Sequence, residues 1–332
     1  MKDWQVTFWD VGQGDASDIL LPDGQHILID AGPLLHKGNP LPQWFVDNSP
    51  QPIKLAIVTH NHVDHFGGFV TLASSQEQEI ERFILLPDKL ATKIPLQKSF
   101  DELLTALKAR VQSGRTTVEW AKSPQVLYSD GALQLRMLHP LGLTTPTRLD
   151  VNKTSMVLAL ETLTPTPRAL VVWAADTLLK NVCTVCAGSS PCVLMGPHHG
   201  KAQDKLSASG FWKIFNTELH PDCIFVSVGR GNTYNHPDRK YIVGAASAKI
   251  RVCCSEISDH CDKFPAMSIY PGSAMLGLPQ PPATYQCRGA MRIFVSSNGV
   301  SFDEHQTAYL AEVAKVYPDA PCKLMRFATS AE

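Results

Sequence analysis

Three histidines and an aspartate crowd into six positions of 59-THNHVDHFGG-68, directly after the apolar run 53-IKLAIV-58. Imidazoles and carboxylates packed this tightly repel once charged, and burial penalises the charged forms. A bound cation removes both problems, because it takes neutral imidazole nitrogen and carboxylate oxygen as ligands. In a turn that leaves a strand and enters a helix, alternate residues can face one spot. His60 and His62 would then share one ion, while Asp64 and His65 would reach a second ion close by.

Other segments could complete such a centre. Asp176 ends the apolar strand 171-VVWAADT-177, where a carboxylate is costly without a partner. The paired imidazoles of 196-GPHHG-200 and His236 in 227-SVGRGNTYNHP-237 are further candidates. Asn232 and Tyr234 flank His236, and His139 in 138-LHP-140 is either a ligand or a satisfied strand-end residue.

The elements that must position these residues are legible in part. Short strands are expected over 4–11, 17–22 and 25–32, with turns at 12-GQGD-15 and 22-PDG-24. The segment 38–52 reads as a Pro-rich loop, and a helix is expected from Gly67 to about Gln76. Leu103, Leu104, Leu107 and Val111 share one face of a helix over 99–113, with Ser99 and Glu102 spaced as a capping box. Strands return at 83–87, 117–121, 133–140, 155–162, 168–177 and 223–229. Strands first, then helices interleaved with strands, suggest a layered α/β sandwich. Residues 1–245 read as one main domain. Residues 246–332 read as a cysteine-containing C-terminal extension packed on it, with a helix near His305–Tyr317.

The segments resemble the signature of the metallo-β-lactamase superfamily. With 10-DVGQGDA-16, 27-ILIDAG-32, 196-GPHHG-200 and 227-SVGRGNTYNHP-237, they are similar to the soluble hydrolase domain of ComEC/Rec2 DNA-uptake proteins and its free-standing relatives, without the membrane channel. The resemblance covers roughly residues 4–240. It implies an α/β fold of four αββα layers and a two-metal site, of zinc or manganese, at one sheet edge. Carried over, Asp30 would steady the histidine turn and Asp176 would bridge the ions. One of His198 and His199, with His198 favoured, would ligate the second metal, and the other would lie outside it. Many superfamily members carry a histidine before the strand at 155–160; here 150-DVNKTS-155 offers Asn152, as metal ligand or substrate contact. The chemistry implied is hydrolysis by a metal-activated hydroxide that Asp64 orients, with His236 contacting phosphate or protonating the leaving group. A phosphodiester in DNA, RNA or a nucleotide is the first expectation. A lactone, thioester, amide or cyclic-nucleotide hydrolase and a partner-binding regulatory subunit are the alternatives.

Bulk properties bound the rest. The chain has 332 residues, 44% hydrophobic and 18% charged, and a formal net charge of -1, so no global basic field advertises nucleic acid. Lys201, Lys205 and Arg230 are the candidates for a strand-binding groove. No apolar run approaches a membrane span of ~20 residues. With no signal-like segment at 1-MKDWQVTFWD-10, a cytoplasmic location is expected. The nine cysteines fit reduced thiols or metal ligands. Cys253, Cys254, His260 and Cys261 in 253-CCSEISDHC-261, with Cys287, could make a structural zinc site; Cys254, His260, Cys261 and Cys287 are the preferred four. The pair in 183-CTVC-186 reads as packing.

Overall fold

The computed structural model describes residues 3–48, 51–86, 98–141, 151–164, 166–201, 206–261, 268–282, 285–317 and 320–324. Two sheets face each other. The first contains β1 (Trp4–Phe8), β2 (Ala16–Leu20), β3 (His26–Ala31), β4 (Ile53–Ile57), β5 (Ile80–Leu85) and β6 (Thr117–Trp120). The second contains β7 (Gln125–Ser129), β8 (Leu133–His139), β9 (Val157–Thr162), β10 (Ala169–Trp173), β11 (Val193–Met195), β12 (Cys223–Val226) and β13 (Arg251–Cys254). A final hairpin, β14 (Met291–Ser296) and β15 (Gly299–Phe302), returns to the first sheet. The orders are β15-β14-β1-β2-β3-β4-β5-β6 and β13-β12-β11-β10-β9-β8-β7.

Each sheet is antiparallel in one part and parallel in the other. Pairs β3–β4, β4–β5 and β5–β6 are parallel, as are β10–β11, β11–β12 and β12–β13. Parallel strands are covered on both faces and so read as continuous apolar runs, as in 53-IKLAI-57 and 169-ALVVW-173. Phe8 of the first sheet stacks on Phe225 of the second at 5.2 Å, inside the core between the sheets. On the outer face of the first sheet lie α1 (Leu41–Asn48), α2 (Val63–Ser74) and α3 (Lys98–Gln112), joined through Phe45, Phe66, Phe69, Phe100 and Leu103. On the outer face of the second lie α4 (Leu179–Val185), α5 (Ala208–Thr217) and α6 (Arg239–Ser247), whose Val182, Phe211, Phe215 and Tyr241 are buried. The layers are αββα. Two further helices, α7 (Gly272–Met275) and α8 (His305–Val316), follow. Among the described residues no helix is long and apolar enough to cross a membrane.

The segment 38–52, expected as a loop, contains α1. Pro40 and Pro42 stand at the helix start, where an amide hydrogen is not needed.

Residues 246–332 supply strands to both sheets. β13 extends the second sheet beside β12, and β14 pairs with β1 from Trp4↔Val295 to Phe8↔Met291. The physical reason is edge protection: without β14, the apolar β1 would present unpaired amides and carbonyls. The buried Arg288 anchors this region. Its guanidinium makes two bonds to Asp303, at 2.8 and 2.7 Å, one to the Ala290 carbonyl, and lies over the rings of Tyr270 and Tyr309.

No disulfide joins the nine cysteines, all of which lie among the described residues. Cys254, Cys261, Cys287 and Cys322 are near enough for their charges to interact, whereas His260 is not among those neighbours. Among the described residues these side chains form no group of three ligand atoms within 4.8 Å. Burial pushes the Cys254 and Cys287 thiols well up, and those of Cys183 and Cys186 to about 12.

Candidate metal centre

The ends of the parallel strands converge on one edge. Asp30 lies near the end of β3, His60 follows β4, Asp176 follows β10, His198 and His199 follow β11, and Ser227 follows β12. Ligand sites in such sheets form beyond the carboxyl ends of the strands. The backbone is held there in rare conformations. Asp30, Ala175, His198, His199 and Asn235 all have positive φ, between 43° and 58°. Strain of this kind persists only where the surroundings over-determine it.

Two glycines permit the close approach of the histidine turn. A Cβ on Gly68 would stand 2.2 Å from the Ala31 carbonyl oxygen, so its absence lets α2 press on the end of β3. A Cβ on Gly14 would stand 2.2 Å from the Asp64 carbonyl oxygen, which instead accepts a bond from the Asp15 amide at 3.1 Å. The turn 12-GQGD-15 is thereby docked on the metal-like turn.

Asp176 is the hub. It is 3% exposed, and its two carboxylate oxygens face different side chains. Oδ2 lies 3.4 Å from His60 Nε2, 3.6 Å from His62 Nδ1 and 3.6 Å from His198 Nε2. Oδ1 lies 3.2 Å from His65 Nε2 and 3.7 Å from His199 Nε2, and His199 Nε2 lies 3.3 Å from Asp64 Oδ2. These spacings match the edges of a tetrahedron, roughly 3.3–3.5 Å for metal–ligand bonds of about 2.0–2.2 Å. His60 Nε2, His65 Nε2, His199 Nε2 and Asp176 Oδ1 are buried without a hydrogen-bond partner. Such orphaned atoms need a reason. The sets His60–His65–Asp176 and Asp64–His65–His199 each bring ligand atoms within 4.8 Å of one another and could hold a cation.

The far sides of His60, His65 and His199 are fixed by partners, which decide which nitrogen faces inward. His65 Nδ1 meets Asp30 Oδ2 at 2.8 Å, and Asp30 also accepts from the Thr59 amide and hydroxyl. With that hydroxyl hydrogen spent on Asp30, Thr59 Oγ1 can accept from His60 Nδ1 at 3.1 Å, leaving His60 Nε2 as an acceptor. His199 Nδ1 lies 3.0 Å from the Ser227 carbonyl and 3.1 Å from Asp15 Oδ1.

The order of the HH pair differs from the expected one. His199, 2% exposed, is the imidazole that joins Asp64 and His65, while His198 faces the opposite oxygen of Asp176. His198 thus stands on the side where Asn152 was expected to replace a histidine. Asn152 lines the pocket at the start of a short 3-10 turn. His139 Nε2 bonds the Lys153 carbonyl at 3.0 Å, as a strand-end residue. Arg230 donates to the Ile257 carbonyl, lies 3.8 Å from Asp259 and sits over the Tyr285 ring, so it braces the C-terminal region and does not line the pocket. Asp150 and Lys205 lie outside the described residues. Asn232 is a brace as well: its amide bonds the Gly229 and His236 carbonyls and accepts from the His236 amide.

Charges follow this layout. Burial alone would raise Asp176, but the His65 and His60 imidazoles hold it well below the usual carboxylate range. Burial would lower His65, but Asp176 and Asp30 on its two sides hold it well above the usual value; Asp15 leads the groups that do the same for His199. Burial and the His65 charge lower His60, and His198 falls to about 3 mainly through burial. At neutral pH the metal-free site therefore carries protons on His65 and His199 that a cation must displace. Metal uptake should release protons and weaken as pH falls, which calorimetry in buffers of different ionisation enthalpy will read as a buffer-dependent heat.

Asp15 was missed as a site residue. Its signal is an acid placed directly after the glycine turn of 10-DVGQGDA-16. Asp15→Asn should weaken the ion that His199 serves by about 10–100-fold, measured by competition with a chelator. The acid that opens the motif acts differently. Burial, followed by the charge of Asp10, pushes Glu256 up to about 8, and burial lifts Asp10 to about 6. Glu256 accepts from the Arg230 amide, so it ties this loop region to the loop bearing His236. An acid whose folded pKa exceeds its unfolded value binds protons more tightly when folded. Stability is therefore lost as pH rises from the ordinary glutamate range through about 8. Thermal melts should show Glu256→Gln flattening this decline, with the variant more stable than the parent above pH 8.

The family comparison follows the same residues. Residues 25–178 match the model of the β-lactamase superfamily domain. Among the described residues, the two sheets and eight α-helices are layered as in the metallo-β-lactamase fold. The matched stretch runs from β3 to Asp176 and contains the histidine turn, whereas His198, His199 and His236 lie beyond it. No curated protein sequence matches the chain. Among solved structures, zinc-bound PqqB from Methylobacterium extorquens is 13% identical over 55% of this chain and 59% of its own, with a TM-score of 0.36. The chain thus spans under two-thirds of that protein. Unliganded yeast PDE1 is 11% identical, covering 80% and 90% of the two chains, with a TM-score of 0.42. A long-form RNase Z from yeast is 11% identical, covering 98% and 45%, with a TM-score of 0.42.

Proposed function

We propose that this protein is a metal-dependent hydrolase of phosphodiesters, acting on a nucleotide or nucleic acid. The observation that carries the metal centre is the partition of imidazoles between the two oxygens of Asp176. His60, His62, His198 and Asp176 Oδ2 would hold one divalent ion, of zinc or manganese. Asp64, His65, His199 and Asp176 Oδ1 would hold the other. Two such ions supply an activated water at neutral pH and offset charge on the phosphoryl oxygens.

The residues around them supply orientation. The Asp64 carboxylate, kept ionised by His199 and His65 despite burial, can accept a hydrogen bond from the attacking water and fix its direction. His236 is drawn down to about 4 by burial and by the charges of His199 and Lys201. At neutral pH it therefore begins as a neutral N–H donor to a phosphoryl oxygen. An anionic substrate beside it raises its proton affinity, so the ring can first take up a proton from solvent and, as imidazolium, pass it to the leaving oxygen and return to its neutral form. Lys201 lines the pocket and adds positive charge for the phosphate. The nucleotide reading draws on the resemblance of 10-DVGQGDA-16 and 227-SVGRGNTYNHP-237 to the ComEC/Rec2 hydrolase domain. A cavity of about 280 Å³ and the commitment of Arg230 elsewhere favour a small substrate or a strand end over a long groove-bound strand.

The test is metal analysis of the purified protein joined to a hydrolysis screen with Mn²⁺ or Zn²⁺. Bis(p-nitrophenyl) phosphate, dinucleotides and single-stranded DNA are set against a lactone and nitrocefin. Two ions bound with cleavage of the phosphodiesters is expected. Two ions bound with cleavage of the lactone or nitrocefin alone would overturn the substrate class.

A further inference from the structure

We infer that Tyr234 is a stacking platform for the aromatic base of a nucleoside phosphate, and so a specificity-determining residue of the candidate site. This rests on the phosphodiester reading above and narrows it to substrates that carry a base next to the reacting phosphate.

At 68% exposure, Tyr234 is the most exposed of the large apolar side chains among the described residues, yet it lines the same cavity as the metal-like cluster. Its ring lies nearly parallel to that of His236, with centroids 5.7 Å apart and 15° between planes. His236 in turn stacks on His199 at 6.3 Å and 30°. Three rings thus rise from the buried floor to the rim, and the last one is open to solvent. The loop that presents it is braced by the Asn232 bonds, and Asn235, with φ of 58°, turns the chain between Tyr234 and His236.

An isolated exposed aromatic needs no explanation. This one differs because its position is held by a braced loop and its neighbour down the ladder is the imidazole assigned to the phosphate. A phosphate seated by His236 and Lys201 would leave its nucleoside at the level of the Tyr234 ring, where stacking is favourable for any base because each has a π-face. A single platform beside a cavity of about 280 Å³ accommodates one base. Hence the platform would recognise a nucleotide or a strand terminus without strong sequence preference.

The test measures binding to the metal-loaded protein by calorimetry, so it does not require turnover. Thymidine 5′-monophosphate, deoxyribose 5-phosphate and inorganic phosphate are compared in the parent protein, Tyr234→Ala and Tyr234→Phe. The parent should bind thymidine 5′-monophosphate about tenfold more tightly than deoxyribose 5-phosphate, a ratio within the range of a single stacked base. That gap should close in Tyr234→Ala and persist in Tyr234→Phe. Equal affinities for the two sugars in the parent, or an undiminished gap in Tyr234→Ala, would overturn the platform. The hydrolysis screen fails independently: a protein that discriminates the base but cleaves no phosphodiester would keep the platform and lose the enzymatic reading.

Discussion

Replacing Asp176 by alanine is expected to empty both halves of the centre at once. Its Oδ2 is shared by His60, His62 and His198 and its Oδ1 by His65 and His199, so a single side chain compensates five imidazoles. Without it, rings that must be neutral to ligate lose the acid they share, and their cations would lose a common anionic ligand. Elemental analysis should fall from the two ions per chain proposed above to fewer than one. Hydrolysis should fall by at least about a thousandfold, the several kcal/mol that such ions contribute to transition-state stabilisation. Asp176→Asn keeps the shape but offers one oxygen, so it should retain at most one ion. Two tightly bound ions in either variant would end the assignment of Asp176 as the shared ligand.

The second large effect separates the adjacent histidines. His199→Ala removes the cation side of contacts to Asp15 and Asp64 and leaves the Ser227 carbonyl without that partner. Breaking buried pairs by removing one member costs about 3–5 kcal/mol. This variant should therefore melt lower and lose the ion at Asp64 and His65. His198→Ala removes a side chain that faces the opposite oxygen of Asp176 and should weaken only the ion at His60 and His62. A two-step metal titration of each single variant and the double variant reads this directly. Independent sites give additive losses, whereas loss of the same step in both singles would sink the partition.

Much of this centre was visible in the chain itself. The spacing in 60-HNHVDH-65, an acid ending the run 171-VVWAAD-176, and the pair 198-HH-199 place ligand-type residues where a strand gives way to a turn, and that is a local property. Secondary structure was legible where periodicity was clean, as in α3, β4 and β10. Elsewhere it failed: α1 begins among prolines, and β7, α5, α6 and β13 to β15 were not foreseen, although β14 alternates buried and half-buried residues and α5 buries Phe211 and Phe215 on one face.

What the sequence determined alone is the chemical inventory: which imidazoles and acids exist, and that they sit at strand ends in a family-like order. Tertiary structure decided how they are paired. Whether His198 or His199 joins Asp64 depends on the left-handed backbone at both positions and on Asp15, which approaches from a loop nearly two hundred residues earlier in the chain. Likewise, no local pattern could show that β14 pairs with β1, since strand partners at such separation are chosen by which edge needs covering. Local residue types set what can ligate; long-range packing sets what does.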